Sequence, residues 1–189
     1  MDYFTEPHYL IRKKILKILG GAFHVYDSKD KVVGYTKMKA FKLKEDLRMY
    51  TSEDMSQEIF SIKARNIIDF AATYDVVDSD TGEKIGALKR KGLKSIIKDE
   101  WQILDTSDNE IGLIQEDSMI LALIRRFLTA LVPQNYDCVV NGVKACEFRQ
   151  NFNPFVVKIN VDFQSGVEVN RKLIMAAGVL LCAIEGKQD

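Results

Sequence analysis

Residues 84–98 hold Lys84, Lys89, Arg90, Lys91, Lys94 and Lys98 with no acid among them. Cations at this density suit one kind of chemistry, the recognition of phosphorylated groups, with Arg as a bidentate fork and Lys as point charges. The ligand such a cluster would hold is an anionic headgroup. The competing reading is a solvated strand face balanced by Glu83, Asp99 and Glu100. A second basic group, Arg12, Lys13, Lys14 and Lys17, is near the start of the chain. Whether the two groups share a face is not legible from spacing alone.

A second candidate contact is the segment SMILALIRRFLTALVP. It reads as a helix over 118–132, with Ser118 as N-cap and Pro133 as its stop. Leu123, Arg125, Arg126 and Phe127 would present an apolar surface with two cations to a membrane or to a partner copy of the chain. Other chemistry finds little support. The loop DSDTGE from Asp78 lacks the later acids and closing Glu of a calcium loop and reads as a hairpin turn. His8 and His24 are the only histidines, and neither stands at metal-ligand spacing. No phosphate loop, GxSxG elbow or HExxH occurs. The expectation is a protein without catalytic residues, metal or cofactor.

The elements that must position these cations are mostly strands. Four stretches repeat one pattern, an aromatic opening an alternating strand, a polar turn, and a second strand: FHVYDSKDKVVGYT, YDVVDSDTGEKIGALKRK, WQILDTSDNEIGLIQE and YDCVVNGVKACEF. Asp and Asn side chains bond nearby backbone in such turns, and Gly82 and Gly142 can take positive φ, so each stretch reads as a β-hairpin. TKMKAFKLKED and SQEIFSIKAR alternate as well, and in FVVKINVDF the residues Val157, Ile159, Val161 and Phe163 form one face.

The segment NRKLIMAAGVLLCAIEG, residues 170–186, begins at a cap candidate, Asn170, and is apolar all the way round in its middle. Such a helix demands enclosure. A sheet of about a dozen strands closes into a barrel wide enough to hold it, and small residues such as Ala176, Ala177, Gly178 and Ala183 let the walls approach. The fold class is therefore mainly β, a closed antiparallel barrel around an apolar helix, in one domain over 1–189. The alternative packs the helix between two sheets or in an oligomer interface.

Composition narrows the setting. The chain has 189 residues, 47% of them apolar, with 27 basic and 27 acidic side chains. A net charge of zero argues against bulk nucleic-acid binding and leaves any anion recognition to local clustering. Cys138, Cys146 and Cys182 sit among apolar neighbours without CxxC spacing, which suits a reducing cytoplasm. The apolar run Leu173 to Ile184 is short of the ~20 residues that span a bilayer, so the expectation is a cytoplasmic protein, peripheral at a membrane, and not transmembrane.

The order of hairpins, the TGEKIGALKRKGLKSIIKDEWQILD segment and the closing NRKLIMAAGVLLCAIEG resemble the scramblase-like and LURP-one-related proteins of the tubby C-terminal-like superfamily. The resemblance covers nearly the whole chain and is strongest from Tyr74 to Glu116 and in the last helix. It implies a twelve-stranded barrel threaded by a C-terminal helix. Tubby domains bind phosphoinositides through basic residues on the barrel, and scramblases are linked to lipid movement. The chain departs from animal scramblases in lacking a proline-rich N-terminal extension, a palmitoylation-type cysteine cluster and their calcium-binding segment. The expected function is thus a binding module for anionic phospholipid or phosphoinositide headgroups. The alternative is a structural or interaction domain that forms a homo-oligomer. An apolar-ligand carrier is disfavoured because the helix fills the interior.

Overall fold

The computed structural model describes residues 3–16, 20–38, 46–65, 72–91, 100–116, 134–151 and 156–184. Twelve strands follow in order: β1 (His8–Leu16), β2 (Gly20–Tyr26), β3 (Val32–Met38), β4 (Leu47–Tyr50), β5 (Glu58–Ala64), β6 (Thr73–Asp78), β7 (Lys84–Arg90), β8 (Glu100–Leu104), β9 (Glu110–Glu116), β10 (Asn135–Val140), β11 (Val143–Gln150) and β12 (Lys158–Phe163). Each pairs antiparallel with its neighbours in sequence, and β1 pairs with β12 to close the barrel, with Tyr9 opposite Val161 and Ile11 opposite Ile159. Closure leaves no edge strand exposed.

All four stretches read as hairpins are hairpins: β2–β3, β6–β7, β8–β9 and β10–β11. The turns use the chemistry their residues offer. Asn141 and Gly142 take φ of 50° and 78°, the left-handed pair that a two-residue hairpin loop needs. Asp27 Oδ1 accepts from the backbone of Lys29 and Lys31, and Asp105 Oδ1 does the same for Ser107 and Asn109. The alternation read in FVVKINVDF is also present: Ile159, Val161 and Phe163 are buried, while Asn160 is exposed.

The helix α1 (Arg171–Ile184) runs inside the barrel, and every residue from Leu173 to Ala183 is buried. Asn170 caps it, its side-chain oxygen accepting from the Leu173 amide at 3.1 Å. At Gly178 the wall comes close. A Cβ there would stand 2.7 Å from Ile11 Cδ1 and 3.2 Å from Phe148 Cε1. Around α1 pack Phe23, Phe60, Trp101, Phe148 and the other inward side chains of the strands in one continuous core. Among the described residues, no helix is long and apolar enough to cross a membrane. The predicted helix at 118–132 lies outside the described residues.

Because α1 has no polar face, a charge placed at its middle has no solvent to reach. Ala177→Arg is expected to cost more than about 3 kcal/mol and to abolish soluble folded protein, as measured by denaturant unfolding and yield.

Candidate functional site: the two rims of the barrel

Strands that alternate in direction put their connections alternately at the two ends. The turns 27–31, 51–57, 79–83, 105–109 and 141–142 lie at the end where α1 begins, here the upper rim. The last residues of β1, β3, β5, β7, β9 and β11 lie at the opposite, lower rim. Charge follows this division. Among the described residues, the upper turns carry Asp27, Asp30, Glu53, Asp54, Asp80, Glu83, Asp105 and Asp108 against Lys29 and Lys31, whereas the lower part of the wall carries Arg12, Lys37, Lys63, Lys89, Lys91 and Lys158 against Glu100 and Glu116. Among the described residues, therefore, the upper turns are net acidic and the lower part of the wall net basic.

The basic run that dominates the sequence is divided by the same geometry. Lys84 opens β7 at the upper rim and Arg90 closes it at the lower, a separation of roughly 20 Å along an extended strand. Alternation divides it again: Arg90 shares the inner face with Leu88, while Lys89 is exposed on the outer face, where the half-buried Lys91 falls by the same period. Lys91 is bonded to Glu100. Of the cations expected in one place, Lys84 is thus set apart from Lys89, Arg90 and Lys91. Lys94 and Lys98 lie outside the described residues, as do Lys17, Leu123, Arg125, Arg126 and Phe127. Of the early basic group, Lys13 is 6% exposed and faces inward beside Ile11, with Arg12 on the outer face.

Lys84 belongs to an ion network. Arg65 donates to both oxygens of Asp75, at 2.8 and 2.6 Å, and to Asp108 at 3.0 and 2.5 Å. The Lys84 ammonium stands 2.6 Å from Asp108 and 3.5 Å from Asp75. The bonds from Arg65, with Lys84 adding to them, hold both carboxyls below their usual range, and those from Asp75 and Asp108 hold the guanidinium above its own. The network fastens the β8–β9 turn across the outer wall, so Lys84 has a structural duty.

The upper rim also holds an open cleft of about 560 Å³, lined by Tyr3, Asp78, Asp80, Thr81, Asn170, Arg171 and Lys172, among others. Two cations in the first turn of a helix face the positive end of its dipole, and here each is held by partners. Lys172 Nζ is 2.8 and 2.7 Å from the two oxygens of Asp78 and 3.2 Å from Asp80, and lies 4.9 Å over the Tyr3 ring. Burial works against this ammonium, but its bonds to Asp78 and Asp80 outweigh that cost and raise its pKa. Arg171 donates to the carbonyls of Phe4 and Glu6 at 2.9 and 2.5 Å and stacks 4.4 Å over Phe163. The strap Tyr3–Pro7 is thereby fixed across the upper mouth, with Phe4 buried against Tyr9 and Phe60.

A family model described as LURP-one-related matches residues 32–181. The chain belongs to the LURP-one-related family. No curated protein and no solved structure gives a match. The match runs from the first residue of β3 to within three residues of the end of α1 and so covers ten of the twelve strands of this LURP-one-related barrel.

Sequence reasoning missed the mouth. Arg171 and Lys172 read only as the start of a helix, and nothing local pairs them with Asp78 or with the carbonyl of Phe4. The one available signal was their place in the first helical turn, where cations are unfavourable unless partnered.

The carboxylates of the Arg65 network have depressed folded-state pKa values. They therefore contribute stability above the ordinary carboxylate range of roughly pH 4, and lose it as pH falls through their folded values. Arg65→Gln should be destabilised relative to wild type at pH 7, and the difference should shrink below about pH 3, as followed by urea unfolding at both pH values.

Proposed function

We propose that this LURP-one-related barrel is a non-enzymatic binding module that docks end-on to anionic phospholipid surfaces, phosphoinositide-containing ones included, through the cations of its lower rim. The axial segregation of charge carries the reading. Lys37, Lys63 and Lys89 are exposed, and among the described residues none of them is ion-paired.

A neutral protein gains from a charged surface only if its two charge sets are felt separately. Along a single strand the two rims are roughly 20 Å apart, against a screening length of about 8 Å at physiological salt, and only the stagger of the sheet brings an upper-turn acid, Asp108, onto Arg65 near Lys63, where it is ion-paired. A bilayer touching the lower rim would therefore feel the cations more strongly than the acids. Each Lys or Arg near an anionic leaflet contributes about 1 kcal/mol, so three or four of them suffice for reversible attachment. The anionic leaflet faces the cytoplasm, so the reading puts the protein there. The free, buried state of Cys138, Cys146 and Cys182 accords with a reducing compartment.

The test is co-sedimentation with phosphatidylcholine vesicles, alone or mixed with phosphatidylserine or phosphoinositide, over a salt series. Binding should require the anionic lipid and weaken with salt. It should fall more than tenfold in the Lys37/Lys63/Lys89→Glu triple variant and persist in an Asp27/Asp30/Asp54→Asn control at the other rim. Equal binding by wild type and the lysine variant, or none at low salt, would overturn the proposal.

A further inference from the structure

One row of side chains across the outer wall is incompletely bonded. Lys158 of β12 stands directly opposite Arg12 of β1, Arg12 opposite His24 of β2, and His24 opposite Tyr35 of β3. Their neighbours along the strands, Ile159, Ile11, Phe23, Val25 and Thr36, are buried, so alternation sends all four of the row outward. Opposite residues in a sheet have Cβ atoms about 5 Å apart. A single small anion over Arg12 would therefore reach Lys158 on one side and His24 on the other.

Like charges directly opposite one another are unfavourable in a sheet, and no acid offsets this pair. Arg12 and Lys158 are half-buried, neither is ion-paired among the described residues, and Arg12 Nε is closed off from water without a hydrogen-bond partner. The one acid in β1, β2, β3 and β12 is Asp162, four residues along from Lys158 and bonded to His8 at 2.5 Å. His24 is 3% exposed. Its Nε2 is 2.5 Å from Glu53 Oε1, and the rings of Tyr26 and Tyr35 flank it at 6.1 and 5.1 Å, yet its Nδ1 is buried and unpartnered.

We propose that Lys158, Arg12 and His24 bind one phosphate group, inorganic or monoester, with its charged oxygens on Arg12 and Lys158 and its P–O–H donated to His24 Nδ1. Arg12 supplies Nε–H and the guanidinium fork, and Lys158 a point charge. His24 selects the oxyanion. While Nε2–H donates to Glu53, the neutral ring presents at Nδ1 a lone pair that needs a donor. Inorganic phosphate keeps a P–O–H at neutral pH, as does a phosphate monoester in its singly charged form, whereas sulfate has none. The site uses none of Lys37, Lys63 and Lys89, so it stands whether or not the lower rim docks to a bilayer.

The test titrates inorganic phosphate and sulfate at neutral pH and low salt while amide and side-chain nitrogen NMR shifts are followed. Phosphate should saturate, shift Arg12, His24 and Lys158, and bind about tenfold tighter than sulfate or better. Arg12→Gln should weaken phosphate by more than about tenfold with the spectrum elsewhere unchanged. Lys158→Gln should weaken it too, yet be no less stable than wild type in phosphate-free buffer, because it relieves the like-charge contact. His24→Phe keeps a ring in place and should bring phosphate and sulfate to equal affinity, whereas Lys63→Gln should change neither. Vesicles carrying phosphatidic acid, a monoester, or phosphatidylglycerol, a diester, separate the two sources. A headgroup site prefers phosphatidic acid and loses that preference in Arg12→Gln, and a site for free phosphate binds the inorganic ion without preferring either lipid. Sulfate bound as tightly as phosphate, shifts centred away from this row, unchanged affinity in Arg12→Gln, or no saturable phosphate binding would overturn the assignment.

Discussion

Everything in this molecule depends on hiding a helix that has no polar side. Leu173, Ile174, Met175, Val179, Leu180 and Leu181 are all essentially inaccessible to water, and each such side chain gains about 1.5–3 kcal/mol from burial. A helix buried on one face only would forfeit half of that. The closed sheet is the arrangement that surrounds it completely, and closure follows from β1 finding β12 in register. The small residues along α1 let the wall close tightly, as at Gly178, where Ile11 and Phe148 leave no space for a Cβ. The cysteines are fillers of the same core, and burial pushes the Cys138 and Cys182 thiols up to about 12.

An interior filled with protein moves function to the ends and the outer wall. The two ends differ because the sequence distributes its charges unevenly between alternate connections, acids in the short turns above and bases along the strand ends below. The upper end must also satisfy the start of α1. It does so with Asn170 as cap, Asp78 reaching inward to Lys172, and the strap carbonyls accepting from Arg171. These contacts add polar anchors at one end of the helix to the apolar packing along it. The same demand leaves the cleft, since the wall cannot close over a helix terminus that needs polar partners.

Much of the fold was legible in local pattern. The four hairpins announced themselves through turn residues, and α1 through an apolar run with a cap, because both are set by neighbours in sequence. The barrel followed from the need to enclose one with the other. The site was less legible for physical reasons that can be named. Counting cations from Lys84 to Lys98 treats the strand as a point, whereas its length sends Lys84 and Lys89 to opposite rims and its pleat sends Arg90 to the inner face. Nor could spacing show that Lys84 is committed to Asp108, or Lys172 to Asp78, because those contacts join residues far apart in the chain. The axial polarity was present in the sequence all along. It appears only once connections are sorted by the end of the barrel at which they lie.

The central claim is that α1 is enclosed and that barrel and helix form one cooperative structure. Native-state hydrogen exchange tests it most directly. Amides from Leu173 to Ala183 should exchange only through global unfolding, with the same free energy and denaturant dependence as those of β1 and β12. Exchange of the helix through a separate, lower-energy opening while the strands stay protected would mean that α1 is docked on the sheet and not enclosed by it, and the account would fail.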